Sequence, residues 1–427
     1  MKRFLLRDIP VEEIVKQSLF DLSAVEEAAK KIVADVKNEG DAALLSYAKK
    51  FDGFSGNAQD LVVTEEEMDS AVKNTDLYFL ETLLEAKKNI AVYHTKQLRS
   101  GYQINDSGKV LGQVVRPLER VGVYVPGGTA AYPSTVLMDV LPAVIAGVKE
   151  VVIVTPAKDN KVPDAILVAA KVAGVKTVYK VGGAQAIAAL AYGTETIKKV
   201  DKIVGPGNAY VAAAKRAVFG QVAIDMVAGP SEILVVADES ADPKYVAADL
   251  LSQAEHDKNA SAILITDSAS LADAAEAEVY RQLEALPRKE IAGTSIENNG
   301  KIIVCDDLTE AISVANAIAP EHLELSVKDP FALLADVKNA GSVFLGSYAP
   351  EPLGDYFAGP NHTLPTSGTA RFSSPLSVDY FVKKFSYVYY DRDSLLAVAD
   401  RIADFAEREG LSAHANAIRV RKETDDE

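Results

Sequence analysis

Val121-Gly122-Val123-Tyr124-Val125, stopped by Pro126-Gly127-Gly128-Thr129, is a short apolar run that ends in a glycine turn. Its length is that of a strand buried on both faces. The pattern returns at 150–154, 177–181, 200–204 and 233–237, each time after a segment long enough for a helix. Such alternation predicts a parallel sheet with crossover helices. Ala146-Gly147-Val148-Lys149 and Ala173-Gly174-Val175-Lys176 form a weak repeat just before two of the runs, and two similar helix-to-strand turns are enough to account for it. Toward the N-terminus the first hundred residues read as mostly helical. Ser23 with Glu26 makes a capping box ahead of Val25, Ala28 and Ile32, and Gly40 stands where that helix should stop. Toward the C-terminus a second strand-and-helix series follows at 262–266, 301–305, 323–327 and 342–345, then a helical tail over about 393–421. The expected class is α/β: two parallel-sheet domains, Rossmann-like but incomplete, with small N-terminal and C-terminal helical segments. The expected boundaries are an N-terminal segment 1–19, a discontinuous first α/β domain 20–120 plus 235–375, a second α/β domain 121–234 and a helical domain 376–427.

The 427 residues carry 45 Lys+Arg against 61 Asp+Glu, a net charge of −16 that repels polyphosphate chains and acidic membranes. Neither nucleic acid nor a membrane is an expected partner. The single cysteine, Cys305, ends an apolar run, so no intrachain disulfide can form and a buried structural thiol is expected. Arg7 and Asp8 interrupt the N-terminus before an apolar region develops, and no stretch of about 18 apolar residues follows. The expected location is the cytoplasm.

Three more apolar runs are read as ending in glycine turns: Gly182-Gly183-Ala184-Gln185, Gly205-Pro206-Gly207-Asn208 and Gly229-Pro230-Ser231-Glu232. Ligands of open α/β sheets lie beyond the carboxyl ends of strands, where glycine lets phosphate or ribose approach the backbone. None of the turns is a GxGxxG fingerprint, and each alone is explained as a turn; together they suggest a nucleotide cleft.

Only five histidines occur. His94 has no ligand-like neighbour and is assigned to the surface or the edge of the core. Gln253 and His256, spaced i, i+3, would share a helix face and could grip one ion, although an exposed pair explains the spacing too. Glu321-His322 sets an acid and a base at a loop-to-strand junction; adjacent strand residues point apart, so both serve one site only if the backbone is irregular there. Asp355 and His362 share a glycine-rich loop, as a hard oxygen ligand and a substrate contact. Glu409 stands at a helix end and His414 one turn into the next helix, where capping is an equal explanation.

In order along nearly the whole chain, these segments resemble the histidinol dehydrogenase family, most specifically in Gly122-Val123-Tyr124-Val125-Pro126-Gly127-Gly128, Val204-Gly205-Pro206-Gly207-Asn208, Gly229-Pro230-Ser231-Glu232, Gln253-Ala254-Glu255-His256, Pro320-Glu321-His322-Leu323 and Phe357-Ala358-Gly359-Pro360-Asn361-His362. The resemblance implies the oxidation of L-histidinol through L-histidinal to L-histidine in two NAD-dependent steps, the last of histidine biosynthesis. It implies one zinc ion per subunit held by Gln253, His256, Asp355 and His414, all four also touching substrate. Glu321 and His322 are then the catalytic pair, with His322 also a substrate contact beside Ser231, His362 and Glu409. Cofactor contacts carried over are Tyr124, Gln185 and Asn208, the loops of 121–234 being the NAD-binding ones. The family is homodimeric, so Glu409 and His414 are expected to serve the partner's active site. An aldehyde has no hydride to give up until a nucleophile adds, and with Cys305 expected in a buried strand, water must add and a carboxylate must activate it. A zinc hydrolase using Glu321 as base, or a non-catalytic binding protein with structural histidines, are the alternatives.

Overall fold

The structure is a computed structural model describing residues 1–16, 23–127 and 131–422. Gly128 and Thr129 of the first glycine turn lie outside the described residues, as does part of the 1–19 segment. The chain divides into two compact units, 1–97 with 118–381, and 98–117 with 382–427.

In chain order the strands are β1 (Lys2–Leu5), β2 (Tyr102–Asp106), β3 (Lys109–Pro117), β4 (Arg120–Tyr124), β5 (Glu150–Thr155), β6 (Thr177–Lys180) and β7 (Lys202–Val204). They continue with β8 (Ala223–Ile224), β9 (Glu232–Ala237), β10 (Ser261–Thr266), β11 (Lys301–Val304), β12 (His322–Ser326), β13 (Ser342–Leu345) and β14 (Val382–Tyr390). Every apolar run read as a strand is one, displaced by at most two residues at either end. The first unit holds two sheets, β6-β5-β4-β7-β8 and β1-β11-β10-β9-β12-β13, in which all neighbours are parallel. The α/β class with two incomplete Rossmann-like sheets is therefore the fold.

Both sheets are covered on both faces, which is why their strands read as continuous apolar runs without polar alternation. In β9, Ile233, Val235 and Ala237 enter one core while Leu234 and Val236 enter the core on the opposite face. The weak repeat is indeed a pair of helix-to-strand turns: helices Pro133–Ala146 and Asp164–Ala173 close with Val148 N–H on the Ala143 carbonyl and Val175 N–H on the Ala170 carbonyl. Helix Ser23–Glu39 ends before Gly40, as its sequence requires.

Strand order reverses between β4 and β7 in one sheet and between β9 and β12 in the other. Crevices of open α/β sheets form at such reversals. Beyond the carboxyl ends of β4 and β7 lie Pro126-Gly127 and Gly205–Asn208, as expected for loops that follow strands. The other sheet departs from that rule. Gly229-Pro230-Ser231 leads into β9, and Glu321 immediately precedes β12, which opens at His322, so these residues stand at the amino ends of their strands.

The second unit pairs β3 antiparallel with both β2 and β14, and carries helices Arg392–Leu396, Ala399–Arg408 and Ser412–Arg419. The helical tail agrees with the sequence reading, but the antiparallel sheet does not figure in it. β14 is exposed along most of its length and includes Lys383-Lys384, and its partner lies far back in the chain, so it lacks the continuous buried run that marks the other strands.

Leu234, fully buried in central β9, reports on the sheet. Leu234→Ala is expected to lower unfolding free energy by roughly 2–5 kcal/mol, read from the shift of the urea midpoint at unchanged slope.

Candidate active site

A cleft of about 420 Å³ opens in the first unit, lined from one side by Tyr124, Gly127, Gly205 and Asn208 and from the other by Ser231, Gln253, His256, Glu321, His322, Asp355 and His362. Of the residues singled out from the sequence, Gln185, Glu409, His414 and His94 are not among its lining. Gln185 is buried in the first turn of helix Gly183–Tyr192. Glu409 and His414 belong to the second unit, both exposed, one at the end of helix Ala399–Arg408 and the other within Ser412–Arg419. His94 is wholly buried, which corrects the surface option: it closes helix Leu77–Thr95 with Nδ1 2.7 Å from the Gln97 amide oxygen.

The backbone irregularity demanded by Glu321-His322 is present. Helix Leu308–Ile318 ends on Ala319 at φ +54, a left-handed conformation costly for alanine, and the chain then turns through Pro320 into β12. Both side chains thereby reach one place, with Glu321 Oε2 3.5 Å from His322 Nδ1. His322 Nδ1 is 2.8 Å from the carbonyl of Glu232, which can only accept, so Nδ1 carries the proton and Nε2 holds the free lone pair. Burial lowers the imidazole pKa, partly offset by Glu351, and this favours the neutral, basic form. The Glu321 carboxyl is pushed well above the usual carboxylate range, first by burial and then by the charge of Glu232; the Glu232 N–H donates to its Oε2 at 2.8 Å.

Around His322 Nε2 stand Glu351 Oε1 at 3.6 Å and Asp355 Oδ1 at 3.9 Å, the one close trio of ionisable ligand atoms among the described residues. Burial pushes Glu351 up to about 8 and Asp355 up to about 6. Glu351 escaped the sequence reading. Its i, i+4 spacing from Asp355 was available, and the helical turn Glu351–Leu353 continuing into the widened turn Gly354–Ala358 realises it. Gln253 lies in the last turn of helix Pro243–Ala254 and His256 just beyond it, joined by His256 N–H on the Gln253 carbonyl, so the pair spans a helix end and not one helical face. His256 Nδ1 is 3.5 Å from Ser231 Oγ. Burial lowers the pKa of His256 and of His362 to about 4. His362 is held through Nδ1 by the Asp355 carbonyl at 3.1 Å and through Nε2 by the Thr135 hydroxyl at 3.3 Å.

On the opposite wall, Gly205 adopts φ +112, and a Cβ there would collide with the Tyr124 carbonyl, so only glycine fits. Its N–H donates to Asp225 Oδ2 at 2.8 Å and its carbonyl accepts from Lys215 Nζ at 2.9 Å, Lys215 and Asp225 forming a buried ion pair. Tyr124 Oη accepts from Gly183 N–H at 3.0 Å, and the Gln185 amide lies over Gly183. Asn208 spends its Oδ1 on capping helix Ala209–Val218. Cys305 is buried outside the cleft with its thiol pushed up to about 11 by burial, which leaves almost no thiolate at neutral pH.

Two parallel sheets meeting at one cleft, glycine turns on one wall and a buried imidazole base beside carboxylates on the other, define an α/β oxidoreductase. The histidinol dehydrogenase family model matches residues 15–422. Histidinol dehydrogenases of Bacillus thuringiensis subsp. konkukian and Geobacillus kaustophilus are each 58% identical, over 93% and 92% of this chain and 92% of either relative. The crystal structure of histidinol dehydrogenase from Elizabethkingia anophelis is similar at a TM-score of 0.93 and 38% identity, covering 99% of this chain and 98% of that one. The chain belongs to the histidinol dehydrogenase family, and its activity is that of the final steps of histidine biosynthesis. That sets aside the hydrolase and binding-protein alternatives.

Asp139, on helix Pro133–Ala146, accepts from the Thr363 hydroxyl at 2.6 Å and is pushed up to about 8 by burial. Between roughly pH 4 and pH 8 the fold keeps a proton that the unfolded chain has lost, so this group's contribution to stability falls as pH rises through that window. Asp139→Asn removes the dependence, and its stability relative to the parent should climb across the window in urea unfolding.

Proposed function

We propose that this cleft oxidises L-histidinol to L-histidinal and then to L-histidine with two NAD and one zinc ion per subunit, in a cytoplasmic homodimer. The observation that carries the reading is that Gln253, His256 and Asp355 line one cleft with Glu321 and His322, whose Nε2 is buried without a hydrogen-bond partner. Buried polar groups are nearly always satisfied, so that lone pair is open to a bound substrate. Imidazole, carboxylate and amide donors without thiolate suit zinc. Gln253, His256 and Asp355 would hold it, with His414 contributed by a second copy together with the substrate contact Glu409, both being exposed on their own unit. The Gln185 amide has neither atom satisfied and lies over Gly183, whose N–H donates to Tyr124 Oη, which fits these two and Asn208 as NAD contacts. When bound, NAD supplies a hydride acceptor and zinc a positive charge that orients the substrate and makes its hydroxyl a better proton donor.

His322 Nε2 takes the alcohol proton as hydride leaves the carbinol carbon. Glu321 then takes a proton from water as the water oxygen bonds the aldehyde carbon, and the carbonyl electron pair is protonated by the imidazolium formed in the first step. The hydrate gives one hydroxyl proton to His322 as its second hydride leaves the carbon, and the carboxylic acid so formed releases its remaining hydroxyl proton to solvent as the carboxylate. A raised proton affinity suits Glu321 to this task. Ser231 beside His256, and His362 in the same cleft wall, would bind the amino alcohol.

Supplied with L-histidinol and NAD, the protein should form two NADH per substrate, lose activity to a chelator and regain it with zinc; no NADH from metal-loaded protein would sink the reading. His322→Asn should lower kcat about 10²–10⁴-fold with little change in KM. Cys305→Ser should retain full activity, because the thiol lies outside the cleft.

A further inference from the structure

Glu232 closes the Gly-Pro-Ser-Glu stretch and has no role in the reaction as described, yet both members of the pair are tied to it. Its peptide N–H donates to Glu321 Oε2 at 2.8 Å, and its carbonyl accepts from His322 Nδ1 at 2.8 Å. Its own carboxylate accepts from the Ser367 N–H through Oε1 at 2.8 Å and from the Glu321 N–H through Oε2 at 3.4 Å. Glu232 and Glu321 thus clasp each other, each carboxylate receiving the other's peptide hydrogen. Ser367 holds φ +55, a conformation that a residue with a side chain keeps only where its surroundings impose it. The adjacent Thr366, in the cleft wall, accepts from the Gly229 N–H through its hydroxyl at 2.6 Å.

Two acids buried against each other are electrostatically unfavourable. Burying the Glu232 carboxylate beside that of Glu321 therefore has a cost, set against the two peptide hydrogens it accepts and the charge of Lys301, and such an arrangement marks a candidate functional position. Facing Glu321 are Glu232, Asp355, Glu351 and His322; facing Glu232 are Glu321 and the buried Lys301.

We propose that Glu232 is a positioning residue for the hydration step: its carboxylate fixes the Glu321 peptide and the 366–367 wall, and its charge lies against the group that takes the water proton. The proposal rests on Glu321 activating water. His322 is held by the Glu232 backbone carbonyl, which a side-chain substitution leaves in place, so oxidation of the alcohol should be spared. The expected signature is a defect confined to one of the two steps.

The test supplies histidinol and histidinal separately to zinc-loaded protein and follows NADH in rapid mixing for Glu232→Gln, Glu321→Gln and the double variant. Glu232→Gln should oxidise histidinal about tenfold more slowly while the histidinol step changes less than about threefold. The double variant should be no slower than Glu321→Gln, because the two act as one unit. Equal slowing of both steps, or losses that multiply in the double variant, would make Glu232 merely structural and overturn the proposal. Native histidinal oxidation in Glu321→Gln would instead remove the assignment of Glu321, whereas a slow Glu321→Gln beside a normal Glu232→Gln would remove the present proposal alone. Glu232→Asp, which keeps the charge but withdraws it by one methylene, gives the same comparison if the amide variant does not fold.

Discussion

Parallel pairing of β9 with β12, in the register that sets His322 beside Ile233, is the constraint on which the site depends. It brings the peptide groups flanking Glu232 up to the Glu321 carboxylate and the His322 ring, so backbone groups of a central strand select the imidazole tautomer. Strand backbone inside a covered sheet is among the least mobile material in a protein. The orientation of the base is therefore set by the same hydrogen bonding that holds the fold, while the side chains of the 355–362 loop complete the surroundings.

Burial is the second determinant. It acts in opposite senses on acids and bases, raising the carboxyls of Glu321, Glu351 and Asp355 and lowering the imidazoles of His256, His322 and His362. Neutral imidazoles can bind a cation or take a proton, and the acids gain proton affinity. One dry environment thus leaves the imidazoles neutral, with lone pairs open, and makes the acids hold their protons more strongly.

Much of this was legible in the sequence. Runs such as 121–125 and 233–237 announce strands because a doubly covered sheet demands continuous apolar residues, and nine of the twelve candidate residues line one cleft. What escaped did so for reasons of three-dimensional pairing. β14 is largely exposed and meets β3 across most of the chain, so its strand-forming residues Tyr387–Tyr390 do not form the continuous buried run by which the other strands were read. Glu351 stood four residues from Asp355, but a single acid at helical spacing is unremarkable until a buried histidine is set against it. Glu232 looked like the end of a turn, because its importance lies in a backbone carbonyl that no side-chain motif can advertise. The expectation that every glycine turn follows a strand failed at Gly229, which enters one.

The use of opposite sheet edges has an electrical consequence. On the β4–β7 wall, helices Pro133–Ala146 and Ala209–Val218 begin at the cleft, at Tyr132 and Asn208. On the β9–β12 wall, helix Pro243–Ala254 finishes one residue beyond Gln253, and helix Leu308–Ile318 finishes three residues before Glu321. Helix starts carry positive partial charge, and helix ends negative, each about half an elementary charge. Two layers that both offered their carboxyl edges would make a cleft of one polarity. Reversing one of them sets a wall of helix starts opposite a wall of helix ends, so partial charges of opposite sign face each other across the cleft before any side chain is counted.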